Sequence, residues 1–264
     1  MKAGVGKVFW GVTESAHLVD IINQTDGVED LDGEDKLGQP MLHLSLFPRA
    51  GTLELFVLPG FRERTFAGVD GRLRPGLVVN AADPLYESSA EDEHVDGAIR
   101  WSQILGDFDL GLSYFYGTSR EPILTQNIHA VELVPYYPII HQAGLDLQFT
   151  RGGWLWKLET IYQDSELDAF LALAGGFEFS FVGVFGSAAD VGVIAEVLHD
   201  ERQAPTAFED DLFLGTRLAL NDVQSTELLA GVIQDLDEDT RFFNLEASRR
   251  LGDRYKLSIQ ARYF

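Results

Sequence analysis

Charged residues set into apolar alternation are the first chemistry this chain offers. Arg100, Asp146, Lys157, Glu159, Arg217, Glu246, Arg250, Lys256 and Arg262 each fall one position out of step with runs of large apolar side chains. Successive side chains of a β-strand point to opposite faces, so these charges share the face that the apolar residues leave. On neighbouring strands they would form opposed basic and acidic ladders, a transverse field across a water-filled constriction. The alternative is that they pair across strands and fill a plugged interior.

Other chemistry is thinner. The histidines His17, His43, His94, His129, His141 and His199 have no metal-ligand spacing. His94 with Asp96, two apart on one strand face, comes nearest to a base–carboxylate pair. A structural or pore-lining histidine is the stronger reading, and the chain is not expected to be an enzyme. Gly4-Val5-Gly6 lacks the third glycine and the helix of a phosphate loop, and Asp30, Asp32, Gly33, Glu34 and Asp35 lack the spacing of a calcium loop. No cofactor is expected, and a solvated acidic loop is a better reading of 29–35 than a divalent site bridging lipopolysaccharide. Cysteine is absent and the net charge is −22, which excludes thiolate chemistry and a phosphate-neutralising nucleic-acid surface.

The elements that must position these charges are strands. Tyr255, Leu257, Ile259, Ala261 and Tyr263 alternate with Lys256, Ser258, Gln260 and Arg262; Trp154, Trp156, Leu158, Thr160 and Tyr162 alternate with Lys157, Glu159 and Gln163. Phe108–Tyr116, Ala143–Phe149, Val95–Trp101 and Leu212–Leu220 follow the rule, as do Phe177, Phe179, Phe181 and Phe185. With weaker runs near 3–12, 41–47, 52–60, 189–199, 225–235 and 240–250, roughly thirteen strands emerge. Most are about ten residues long, enough to cross a bilayer when tilted. Aromatic residues near the ends of several faces suit the two interfaces of a membrane. No apolar run approaches the length of a membrane helix.

Short turns near Pro48–Gly51, Leu105–Asp107, Arg151–Gly153, Gly186–Asp190, Asn221–Gln224 and Leu251–Asp253 alternate with connections at 13–39, 61–91, 119–139, 164–168, 200–207 and 235–239. Short turns on one rim and long loops on the other are the habit of outer-membrane barrels. The fold expected is all-β, a single domain over 1–264: a transmembrane antiparallel up-and-down β-barrel with roughly 13 strands present. An odd count leaves Phe264 at the long-loop rim, whereas single-chain barrels have even numbers. Either a strand is miscounted in 119–139 or the chain is part of a 14–16-stranded barrel. The lack of an apolar leader in Met-Lys-Ala-Gly-Val-Gly-Lys favours truncation at one or both ends.

The segments 6–26, 61–66 (Phe-Arg-Glu-Arg-Thr-Phe), 117–122 (Gly-Thr-Ser-Arg-Glu-Pro) and 246–253 (Glu-Ala-Ser-Arg-Arg-Leu-Gly-Asp) resemble porin-like outer-membrane proteins of proteobacteria. The resemblance spans most of the chain. It implies a bacterial outer-membrane location, an exported leader upstream and a further hairpin downstream. Phe264 is similar to the terminal aromatic that barrel-insertion machinery reads.

The function expected is diffusion of small hydrophilic solutes through a charged lumen, in contact with lipid and lipopolysaccharide, with a homo-oligomer left open. A structural barrel sheathing a partner protein is the alternative. The loop 13–39, with Thr13, Glu14, His17, Asp20 and Asn23, is long enough to fold inward as a constriction.

Overall fold

A computed structural model describes residues 1–29, 33–71, 76–127, 131–202 and 209–263. Alternation leaves most of these strands with one polar and one apolar face, and the strands join edge to edge in one antiparallel sheet. The thirteen strands are β1 (Lys2–Gly6), β2 (Gln39–Leu46), β3 (Thr52–Pro59), β4 (Val95–Leu105), β5 (Phe108–Thr118), β6 (Ile139–Arg151), β7 (Trp154–Ser165), β8 (Ala169–Phe181), β9 (Asp190–Asp200), β10 (Asp210–Ala219), β11 (Glu227–Asp235), β12 (Arg241–Leu251) and β13 (Tyr255–Tyr263). Each pairs with its chain neighbour, so the topology is up-and-down from end to end. Among the described residues β1 and β13 each have one neighbour and do not pair with each other.

The irregular segment 119–139 resolves the strand count. Ile123–Asn127 and Glu132–Tyr137 form a hairpin of their own, joined by Leu85–Tyr86 in a separate three-stranded sheet. A second small pair, Asp26–Gly27 with Thr65–Phe66, ties two long connections together. Phe185 departs from expectation: it belongs to a 3-10 turn, Val184–Gly186, with φ of 55°, and is fully exposed instead of facing outward from β8. The glycines on either side of it, both at positive φ, bend the chain before the phenylalanine periodicity can continue.

Register then places the charges. Asp146 stands opposite Glu159, Gln148 opposite Lys157, and Asn244 opposite Arg262. Residues directly opposite in an antiparallel pair point the same way, so all of Arg100, Asp146, Lys157, Glu159, Arg217, Glu246, Arg250, Lys256 and Arg262 share one face. We call it the inner face.

The inner face buries ions beside apolar side chains such as Phe56, Phe115 and Ile194, and the outer face leaves its apolar side chains exposed. Glu159 is wholly buried, Glu196 is 1% exposed and Asp146 4%, while Leu112, Trp156 and Tyr162 on the other face are 45%, 45% and 53% exposed. The inner face is covered because the sheet curls around residues 8–24, which lie against it. Trp10 meets Phe56 of β3 edge-on and lies under the Arg100 guanidinium of β4. Glu14 reaches Arg217 of β10.

Gly144 and Gly111 make room for this. A Cβ on Gly144 would come within 3.1 Å of Val19 Cγ1, and one on Gly111 within 2.3 Å of the Asp146 carboxylate, where Arg100 forks onto it.

At the long-loop rim a buried arginine joins three parts of the fold. Arg120 pairs with Asp96 of β4 at 2.7 Å, donates to the carbonyl oxygens of Thr118 and Ile22, and lies over the rings of Phe61 and Phe115. Burial lowers its pKa and the Asp96 carboxylate offsets that. Removing one partner of such a pair leaves the other ion buried and uncompensated. Arg120→Met is expected to cost about 3–5 kcal/mol in a denaturant titration; a loss below about 1 kcal/mol, the weight of a surface pair, would contradict the joint described here.

Candidate functional site

The sheet's inner-face carboxylates and the main-chain donors of segment 8–24 form the densest polar cluster among the described residues. It begins with a local constraint. Asn23 takes the N–H of Val8 on its side-chain oxygen and donates to the carbonyls of Gly6 and Leu37, which pins the two ends of the connection to each other. Asp20 accepts the N–H of Trp10 and faces Lys36 at 3.7 Å. The segment therefore carries its own frame and turns its remaining N–H groups toward the sheet.

Glu159 receives them. Its carboxylate accepts the N–H of Val12 at 2.6 Å, the N–H and hydroxyl of Thr13 at 3.0 and 2.8 Å, and the N–H of Val19 at 3.2 Å. One strand pair away, Glu196 accepts the N–H groups of Glu14 and Ser15 and the Ser15 hydroxyl, at 2.7–3.0 Å. Glu14 in turn accepts from Lys157 at 3.2 Å and from Arg217 at 2.6 Å, and Arg217 also contacts Glu178 at 3.3 Å. Buried ions persist where their lone pairs and protons are satisfied, and these are.

His17 bridges the acids. It lies 3.4 Å from Glu34 and 3.9 Å from Glu159. Burial disfavours its charge, but the two carboxylates outweigh that and raise its pKa to about 9. Glu34 is held below the usual carboxylate range, first by its hydrogen bond from His17; the field of Arg262 adds to this from β13 at the far edge of the sheet. Burial raises the Asp20 carboxyl against the pull of Lys36.

Of the charges picked out from the sequence, Arg100, Asp146, Lys157, Glu159 and Arg217 gather around segment 8–24. Glu246 and Arg262 make a looser pair at 3.8 Å. Arg250 and Lys256 stand opposite each other near the short-turn rim and are exposed. Within the expected inward loop, 13–39, Thr13, Glu14, His17, Asp20 and Asn23 all engage, while Glu29, Glu34 and Asp35 remain exposed at the rim. Asp30 and Asp32 of the acidic run, His129 and Phe264 lie outside the described residues.

His94 does meet Asp96, at 2.7 Å, but that carboxylate already holds Arg120 and the N–H of Thr118. It is committed to structure.

Glu196, Glu178, Ser15 and Trp10 were not singled out from the sequence. On β9 both faces carry aliphatic residues, Ile194 and Leu198 inside and Val193 and Val197 outside, so the lone inward glutamate does not stand out. Its only signal is an acid inside the apolar run from Val191 to Leu198.

The chain matches no protein-family model, no curated protein and no solved structure.

The His17 bridge has a defined pH dependence. Its pKa is higher in place than free, so its contribution is complete below about 6.5, erodes as a free imidazole would lose its proton, and is gone above about 9. A variant with Trp10 as its sole tryptophan should show emission shifting to the red across that window. His17→Asn should remove the pH dependence, and a flat wild-type profile would show that the bridge does not hold the segment.

Proposed function

We propose that the chain forms a β-barrel of a bacterial outer membrane whose polar interior passes small hydrophilic solutes beside a constriction made by residues 8–24. The observation that carries this is the pattern of burial: apolar side chains exposed on the outer face, ions buried on the inner one. A face of exposed Leu, Val, Trp and Tyr running across thirteen strands has no favourable partner in water and a natural one in lipid.

The aromatic residues support it with a length. On the outer face Trp154, Trp156, Phe177 and Phe179 cluster by the short turns, while Tyr116, His141 and Tyr162 lie toward the long loops. From Trp154 to Tyr162 the strand rises about 26 Å at ~3.3 Å per residue, or roughly 20 Å after a barrel's tilt, close to the ~25 Å apolar band of outer-membrane barrels.

Closure belongs to the same proposal. β1 and β13 run in the same direction, so a barrel of 14 or 16 strands would keep every pair antiparallel, whereas joining these two edges directly would not. Lipid and lipopolysaccharide would cover the outer face, and the barrel-insertion machinery would assemble it.

The path for solutes is the part of the inner face that residues 8–24 leave uncovered. Along β12 and β13 the inner residues Arg250, Lys256, Ser258 and Gln260 are exposed. A barrel built to sheath another protein would need its middle free, and here the chain's own segment stands there, which favours the channel.

Two measurements test this. Single-tryptophan variants in bilayers with brominated lipid should show quenching at Trp154 and Trp156 and none at Trp10; equal quenching at all three would overturn the membrane assignment. The protein with the strands that close its barrel, reconstituted in a planar bilayer, should pass current in discrete steps. A persistently silent bilayer, with the quenching pattern intact, would replace the channel by a structural barrel.

A further inference from the structure

Segment 8–24 is held to the sheet by two kinds of contact, and they divide it. Val19, Ile21 and Ile22 are buried in an apolar cluster with Phe56, Phe115 and Ile140, and Leu18 packs against its edge. Residues 12–17 are held differently. Apart from the small contact of Ala16 with a second apolar cluster, they meet the sheet through donors to Glu159 and Glu196 and through the ion pairs of Glu14.

We propose that residues 11–17 are a gate latched by the carboxylates of Glu159 and Glu196, moving between two stationary apolar anchors, Trp10 on one side and Leu18–Ile22 on the other. The proposal rests on the channel reading above. Hydrogen bonds to an ionised acceptor are about twice as strong as neutral ones, and they weaken when the acceptor takes a proton. Apolar packing has no such dependence. Acid therefore loosens the tip, while the anchor at Leu18–Ile22 gives up a single donor, the N–H of Val19 to Glu159, and keeps its apolar packing.

The groups around the two latches permit this. Glu159 faces His17 and Asp20 of the segment, Asp146 of β6 with its Arg100 partner, Lys157 of its own strand and the neutral Ala174 of β8. Glu196 faces the neutral Gly176 of β8 and Phe213 of β10, with Glu14 above it and Lys157 and Arg217 beyond that. His17 is already charged at neutral pH, so acidification acts through the acids, Glu159's side of the bridge included, and not through the imidazole. Protonating the carboxylates leaves Lys157, Arg217, Arg100 and His17 as facing cations, which drives the tip away from the sheet.

The experiment is conductance of the protein with the strands that close its barrel, in a planar bilayer, at about pH 7 and then stepwise down to about pH 2, since carboxylates rich in N–H donors take up a proton well below the free range. Wild type is expected to favour the smaller step at neutral pH and the larger in acid. Glu159→Gln with Glu196→Gln should shift the open-to-closed ratio at neutral pH by about tenfold or more, the weight of a hydrogen bond to a charged group, and should lose most of the acid response. Thr13→Ala with Ser15→Ala, which leaves the sheet untouched, should shift it in the same direction by less.

The anchor at Leu18–Ile22 has its own test. A Cβ on Gly144 would stand 3.6 Å from that of Val19, a disulfide's spacing, and 2.6 Å from the Ser113 hydroxyl, a crowding that Ser113→Ala in the same background relieves; the chain has no other cysteine. Val19→Cys with Gly144→Cys, oxidised, should keep the wild-type acid response. The gate is overturned if the Gln pair, with wild-type strand content by circular dichroism, keeps the wild-type ratio and acid response. It is also overturned if the oxidised cysteine pair abolishes that response, since the whole segment would then have to leave. If no form passes current at any pH, the channel reading itself fails and the gate with it.

Discussion

A carboxylate with no access to water must be given donors, and the rest of this molecule is arranged around that requirement at Glu159. Its partners come from a segment far away in the chain, Val12, Thr13, Val19 and His17. Three of them are main-chain N–H groups, which a strand would have spent on a neighbouring strand. The segment can offer them because Asn23 and Asp20 hold it in an irregular form that pairs with no strand of the large sheet. Sheet and segment thus satisfy each other. Without the segment the inner face would hold several ions against one another, and without the sheet the segment's donors would have no acceptor.

The same requirement accounts for the curl. Acids and bases spaced around the inner face can all reach one short segment only if the strands between them bend toward it. Trp10 and Arg100 on one side, Arg217 and Glu14 on another, and Arg262 acting on Glu34 from the last strand mark the compass of that bend. The outer face contributes no competing core. Its leucines, valines and aromatic rings lie exposed side by side, so nothing on that side opposes the curvature.

The balance of charge inside is close but uneven. Near segment 8–24 each cation has an acid within contact distance, while toward β12 and β13 Arg250 and Lys256 stand opposite each other with the inner face open above them. Like charges facing across a strand pair cost stability. Exposure to solvent lowers that cost, and it leaves the uncovered side of the interior more basic than the covered side.

Strand number and the face of every charged residue singled out in advance were legible in the sequence, because a period of two needs nothing beyond neighbouring positions to declare itself; the first run, read over 3–12, instead ends at Gly6, and residues 8–12 leave the sheet to join the inward segment. Lys157 and Glu159 between Trp156, Leu158 and Thr160 could point only one way. The rim hairpin at Ile123–Tyr137 and the turn at Phe185 were not legible: a strand pattern looks the same in a small sheet as in a large one, and a glycine pair can end one without warning. Glu196 was hidden by aliphatic residues on both faces of its strand. That residues 12–17 lie across Glu159 and Glu196 was decided by tertiary structure alone. The contact joins positions well over a hundred residues apart, through main-chain groups that every sequence possesses, so only the register and curl of the assembled sheet determine which donors meet which acids.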